Sequence, residues 1–262
     1  MPEPNLIRMI VVVKCVAMTK AFHQKVNAVT EESIPSEKLH CLTLLRHGES
    51  LGNAKGYYQG QADFPLTDKG IEQSHALAKL WQAEGVEFDL AISSPLRRAR
   101  QTAEIIAQTL SLPLEFEPLW MERDVGQISG LSREEAAKRF PRPNFIHLYQ
   151  PLGIDGESLL ETYLRAGRAI QSLMIRPPGR YLIVSHGGIL NMALYHILGI
   201  TPLPNFQGPR FRFDNTGYAT LTFEPEEHAW RLTGLFPLFP KLSAEQANLS
   251  KFPPPLPQQT TQ

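Results

Sequence analysis

Leu42-Thr43-Leu44-Leu45-Arg46-His47-Gly48-Glu49-Ser50 is the stretch that decides the fold. A short apolar run ends in an arginine, a histidine and a glycine. Such a run reads as a buried strand, and the glycine lets the backbone turn sharply on leaving it. One permanent cation and one imidazole remain at the strand's end. A guanidinium can bind phosphate oxygens two at a time, and a neutral imidazole nitrogen can attack phosphorus. A second junction of this kind occurs at Tyr181-Leu182-Ile183-Val184-Ser185-His186-Gly187-Gly188.

Outward from these junctions the chain alternates strands and helices. Thr67 caps a helix over Ile71–Trp81, and Phe88–Ile92 reads as a strand. Ser94-Pro95 opens a helix with Ser at the N-cap and Pro first inside. Its apolar stripe is Leu96, Ala99, Ala103, Ile106, Ala107 and Leu110. Leu114–Leu119 reads as a strand, and Ser132 with Glu135 as a capping box. An amphipathic helix follows over Glu157–Ile175, then a strand at Tyr181–Val184 and a helix over Gly188–Leu198. Tyr218–Phe223 and Trp230–Phe236 close with strand character. This order predicts an α/β fold with a mostly parallel central sheet. The domain is expected over residues 39–236. Residues 1–38 read as a flexible N-terminal extension, and 237–262 as a disordered Pro/Gln-rich tail with polyproline II character.

Composition narrows the function classes. Of 262 residues, 42% are hydrophobic and 20% charged, which suits a globular protein with a proper core. Lys+Arg and Asp+Glu are both 26, so the formal net charge is zero, without the basic footprint of a nucleic-acid binder. Attraction for an anion must then be local. The two cysteines, Cys15 and Cys41, offer no zinc spacing and no disulfide framework, and read as reduced thiols of a cytoplasmic protein. Leu6–Met18 is apolar but short and interrupted by Lys14, so no membrane span is expected. The basic residues of the first thirty positions admit a transit peptide, ranked below a simple extension.

Arg46-His47-Gly48-Glu49-Ser50, with Asn53 beyond it, resembles the signature of the histidine phosphatase superfamily, which includes the phosphoglycerate mutases. Three further segments match in order. They are Ser93-Ser94-Pro95-Leu96-Arg97-Arg98-Ala99-Arg100-Gln101-Thr102-Ala103, the acid-bearing Met121-Glu122-Arg123-Asp124-Val125-Gly126, and Ser185-His186-Gly187-Gly188. Gln59-Gly60 and Leu66-Thr67-Asp68-Lys69-Gly70 also fit. The resemblance spans about residues 40–225. It implies a three-layer, phosphoglycerate mutase-like sandwich with helices on both faces of the sheet, and two histidines meeting at one phosphate.

The resemblance makes His47 the nucleophile, with its other nitrogen donating to a carbonyl. Attack would give a phosphohistidine and split one hard step into two. Arg46 and Arg98 would grip nonbridging oxygens. Arg98, not Arg97, is chosen because it directly precedes Ala99. His186 would be protonated and stabilise transition-state charge. Glu122 would protonate the leaving alkoxide and then take a proton from water. Asn53, Gln59, Gly60 and Gly187 would contact phosphate or substrate. His47 and His186 lack a third ligand for a metal, and no P-loop exists. The expectation is therefore no metal, no cofactor, and a small-molecule phosphate ester as the partner, with neither nucleic acid nor membrane. A homodimer is compatible with this.

Three functions fit these residues: a phosphomonoester hydrolase, a phosphoglycerate mutase, and a silent phospho-ligand-binding module. In the family the mutases carry a longer insertion after the acid-bearing loop, and the run from Glu122 to Glu157 leaves little room for it. Arg133, Lys138, Arg139 and Arg142 keep the mutase open. The full set of histidines, arginines and glutamate ranks the silent module last.

Overall fold

In the computed structural model, which describes residues 39–236, the opening run is strand β1, His40–Arg46. The expected extension (1–38) and tail (237–262) lie outside the described residues. Strands β2 (Leu90–Ser93), β3 (Leu114–Phe116), β4 (Gly179–Ser185), β5 (Tyr218–Glu224) and β6 (Ala229–Phe236) complete one sheet, ordered β3-β2-β4-β1-β5-β6. β3, β2, β4 and β1 run parallel, and β5 and β6 add an antiparallel edge.

Side chains alternate across a strand, so β1 feeds two cores. Leu42 and Leu44 join Ile92, Tyr181 and Ile183 beneath α5 (Leu159–Met174) and α6 (Gly187–Ile197). Leu45 joins Leu182 and Val184 on the other face. There they meet Leu77 and Trp81 of α2 (Asp68–Glu84) and Ala103 and Ile106 of α3 (Arg97–Leu110). The result is the three-layer α/β sandwich expected, with central strands apolar on both faces because both are covered. Two shorter helices, α1 (Leu51–Ala54) and α4 (Arg133–Arg139), lie in the connections. A small satellite core of Val125, Ile128 and Ala136, with Tyr58, Leu131 and Phe140, underlies the loop after Glu122.

Several boundaries differ from the sequence reading, each for a local reason. The third helix begins at Arg97 with extended Leu96 as N-cap, and Ser94 is not its cap. The Ser94 hydroxyl is engaged by His186 instead. The strand expected over Leu114–Leu119 stops at Phe116. Pro118 lacks an N–H for the ladder, and the Glu117 carboxylate accepts the Leu119 N–H at 3.0 Å, closing a 3-10 turn. α5 starts at Leu159, after a Ser158–Glu161 capping box, and Glu157 is drawn out of the helix toward Arg165. The Thr67 and Ser132 caps form as read.

β1 and β4 pair in parallel with Arg46 opposite Ser185. His47 and His186 therefore leave the sheet side by side at its carboxyl edge, where open α/β sheets place their ligands.

Candidate active site

The two imidazoles lie with ring centroids 5.1 Å apart. His47 is 2% exposed and His186 fully buried. His47 N–H donates to the Ser185 carbonyl at 3.0 Å, and the His47 carbonyl accepts from the Asn215 side-chain amide at 3.1 Å and from Thr216 N–H. The ring's Nδ1 is 2.6 Å from the Gly48 carbonyl. A carbonyl only accepts, so Nδ1 carries the proton and Nε2 is left with its lone pair. Burial, then Arg98 and Arg46, push the His47 pKa well below 6.5, and the ring is neutral at pH 7.

Gly48 serves close approach and not a left-handed turn. Its φ is not positive, but a Cβ there would stand 2.5 Å from the Gly70 carbonyl and 3.0 Å from the Ser74 hydroxyl. The turn expected of this glycine is in fact a packing contact between the His47 loop and the first turns of α2.

Arg98 is 1% exposed, whereas Arg97 is exposed. Arg98 Nε donates to His186 Nδ1 at 3.1 Å, and its terminal nitrogens donate to the Ala62 and Gly60 carbonyls at 2.9 and 2.7 Å. One N–H on each terminal nitrogen remains for a ligand. Burial pushes the Arg98 pKa down to about 10, with Glu122 and Asp63 opposing the shift and Arg46 adding to it, and the group stays charged at neutral pH. Arg46 closes the opposite side. Its Nη1 donates to the Phe213 carbonyl at 2.7 Å, and its Nε is buried without a partner among the described residues.

His186 departs from expectation. It is neutral here and not protonated. Its Nδ1 accepts from Arg98, so its proton sits on Nε2, 2.8 Å from the Ser94 hydroxyl. Burial comes first among the causes, and the cations Arg98 and Arg46 add to it, holding the pKa well below 6.5.

Glu122 sits across the mouth, half-buried. Its Oε1 accepts from Arg123 N–H at 2.8 Å and Ile189 N–H at 3.1 Å, and its Oε2 from Gly188 N–H at 3.0 Å. The carboxylate thus lies on the positive end of α6. Gly188 is needed for this approach, because a Cβ there would collide with Oε1. Gly187 is different, since its Cβ position is 3.8 Å from Arg46 Nε, an ordinary contact.

The remaining expected substrate contacts are drawn into the wall. Asn53 Oδ1 accepts from Ser50 N–H and Asn215 Nδ2, both at 3.2 Å. Its oxygen is thereby committed, and only its NH2 can serve an anion. Gln59 Oε1 accepts the Ser50 hydroxyl at 2.6 Å. Gly60, at φ +47°, presents its carbonyl to Arg98 and packs against Val125 and Ser129, so its visible task is to hold that arginine.

Sequence reasoning missed Ser94 as a partner of His186, Asn215 behind His47, and Arg165 beneath Glu122. Arg142, named from the sequence among the basic residues after the acid-bearing loop, lies at the rim with Arg123, their guanidiniums 5.5 and 4.8 Å from the Phe206 ring centre, and it was Phe206 that sequence reasoning missed. Neither of these arginines has an ion-pairing carboxylate among the described residues. A signal existed for Arg165, a cation on the buried stripe of an amphipathic helix. None existed for Asn215. Among the described residues no group of three potential metal ligands occurs, and no helix is long and apolar enough to cross a membrane.

Two neutral imidazoles, two buried guanidiniums and a carboxylate thus meet at one carboxyl sheet edge, a set of groups that suits an anionic phosphate. The profile of the histidine phosphatase superfamily (branch 1) matches residues 42–235, and the chain belongs to that family. It is 36% identical over 197 residues to "Probable phosphoglycerate mutase GpmB" of Salmonella paratyphi A, covering 73% of this chain and 87% of that one. Among solved structures, the alpha-ribazole phosphatase of Shigella flexneri is 26% identical with a TM-score of 0.64, covering 76% of this chain and 96% of that one. A phosphoserine phosphatase of Entamoeba histolytica, in complex with 3-phosphoglyceric acid, is 25% identical with a TM-score of 0.59, covering 75% and 96%.

Proposed function

We propose that the protein is a metal-independent phosphomonoester hydrolase acting through a phosphohistidine on a small phosphorylated metabolite. The observation that carries this is the free Nε2 of His47, kept neutral and flanked by Arg46, Arg98 and His186. The Nε2 lone pair attacks phosphorus as the bond from phosphorus to the leaving oxygen breaks. Glu122, entering this step as the carboxylic acid, gives its proton to the leaving alkoxide and is left as the carboxylate. Water then attacks phosphorus as its bond to Nε2 breaks, Glu122 takes the water's proton, and inorganic phosphate leaves with His47 regenerated. The spare N–H groups of Arg46 and Arg98 meet the charge on the equatorial oxygens. A phosphoryl dianion between them would offset part of the positive field that Arg98 and Arg46 impose on His186.

Hydrolysis is favoured over intramolecular transfer by the compactness of the run after Glu122. Between Glu122 and Ser158 it holds one 3-10 turn and the seven-residue α4. The mutase is the second reading, and Arg123 and Arg142 are the reason, since two unpaired guanidiniums beside the acid could hold a substrate carboxylate.

The test uses p-nitrophenyl phosphate and 2-phosphoglycerate in 18O-water. Hydrolysis gives phosphate carrying one 18O, and an alkali quench traps an acid-labile phosphoenzyme. His47→Ala should lose the label and roughly 10^4-fold or more of turnover. Turnover surviving that change would end the nucleophile assignment. Conversion to 3-phosphoglycerate faster than phosphate release would establish the mutase instead.

A further inference from the structure

We infer that Arg165, with Glu157, is the positioning residue that fixes the acid-bearing loop and so aims Glu122 at the leaving group. This rests on Glu122 being the general acid. Arg165 is 9% exposed, on the face of α5 that packs toward that loop. Its Nε and Nη2 clamp the two oxygens of Glu157, each at 2.7 Å. Nη1 donates to the Leu119 and Met121 carbonyls at 2.7 Å, and Nη2 also reaches the Glu122 carbonyl at 3.3 Å. All five guanidinium N–H groups are then spent on protein. None is left for substrate, so Arg165 acts through Glu122 and not on the phosphate.

Glu157 completes the clamp from the other side. Its Oε2 accepts the Asp124 N–H at 2.9 Å, and its own N–H donates to the Asp124 carbonyl at 2.8 Å. The segment from Leu119 to Asp124 leaves its 3-10 turn after Trp120 and runs without a ladder. Buried backbone carbonyls must be satisfied, and here side chains from elsewhere do it. Ser185 takes the Trp120 carbonyl at 2.6 Å and Gln61 shares that of Glu122 at 3.2 Å. A buried ion pair is a poor way to stabilise a fold when apolar residues could fill the space. The fork's geometry is what a lysine, with three donors and no plane, cannot copy.

The experiment compares Arg165→Lys, Glu157→Gln and Glu122→Gln on p-nitrophenyl phosphate and on an alkyl phosphate, whose leaving alkoxide needs the proton. Thermal unfolding reports whether each variant is folded. Arg165→Lys should lose roughly 10- to 100-fold in kcat/KM, which reports the step that expels the leaving group, on the alkyl ester and less than about threefold on the aryl ester. In a Glu122→Gln background the same change should cost nothing further on either ester. Glu157→Gln leaves Arg165 in place and should show the same selectivity, which decides the matter if Arg165→Lys does not fold. Equal slowing of both esters, or losses additive with Glu122→Gln, would overturn the inference alone. A Glu122→Gln enzyme indifferent to leaving group would instead overturn the acid assignment, and the inference with it.

Discussion

Arg98 Nε and His186 Nδ1 are hydrogen-bonded at 3.1 Å, and that contact decides which nitrogen of the second histidine holds its proton. The proton is forced to Nε2, and Ser94 is its acceptor at 2.8 Å. The residue that looked like a helix cap thus supports the second imidazole. Ser94→Ala should leave that N–H without its acceptor and lower kcat about 10-fold or more. Folding stability should fall too, by the roughly 1–3 kcal/mol that a buried donor without its acceptor costs. Steady-state kinetics with parallel urea melts tests this, and an unchanged kcat would remove Ser94 from the site.

Gly188→Ala should act as a displacement of Glu122. The new methyl takes the place of Oε1, and a shift of about 1 Å at a reacting group costs on the order of 100-fold. Gly187→Ala should be milder, because its Cβ meets Arg46 Nε at 3.8 Å without collision. The ratio of the two kcat/KM losses is the readout. Equal losses would mean that the close approach of Glu122 to α6 is not what Gly188 serves.

Stability should fall steeply below pH 6.5. Burial and the arginines hold His47 and His186 well below that value in the folded chain, while unfolded histidine returns to it. As pH drops through 6.5, the unfolded chain takes up protons the folded chain refuses, and unfolding gains. Each imidazole adds about 1.4 kcal/mol per pH unit to that slope until its folded pKa is reached. Urea unfolding between pH 7.5 and 5 measures it. His186→Gln should remove about half of the excess slope.

Asn215→Ala should free the Asn53 amide and loosen the His47 carbonyl, which it bridges at 3.2 and 3.1 Å. Phosphate affinity should weaken several-fold. The loss should shrink in an Asn53→Ala background, since the two changes share one hydrogen bond. Inorganic phosphate inhibition constants across the four proteins give the coupling.

The strand-to-glycine junctions were readable because each packs chemistry into consecutive residues. Residues 42–48 and 182–188 announce a buried strand ending in an imidazole and a glycine without any partner known, although at Gly48 the glycine serves close packing and not the expected turn. The layers were readable too, since apolar periodicity in α3 and α5 shows which face is covered. What escaped was set by contacts between distant segments. Ser94 followed by Pro95 carries the same local signature whether it caps a helix or serves a histidine at position 186. The charge state of His186 depends on burial and on Arg98, Arg46 and Arg165, none of which neighbours it in the chain. Asn215 precedes the last hairpin in an unremarkable loop, and only the fold brings it behind His47.

The pairing of Arg46 with Ser185 has a consequence for how such a chain can vary in length. Losing or gaining one residue inside either strand would slide one imidazole about 3.3 Å past the other and invert the facing of every side chain beyond the change. Indels are thus barred from the ladder itself. Changes of length are left to connections outside the paired strands.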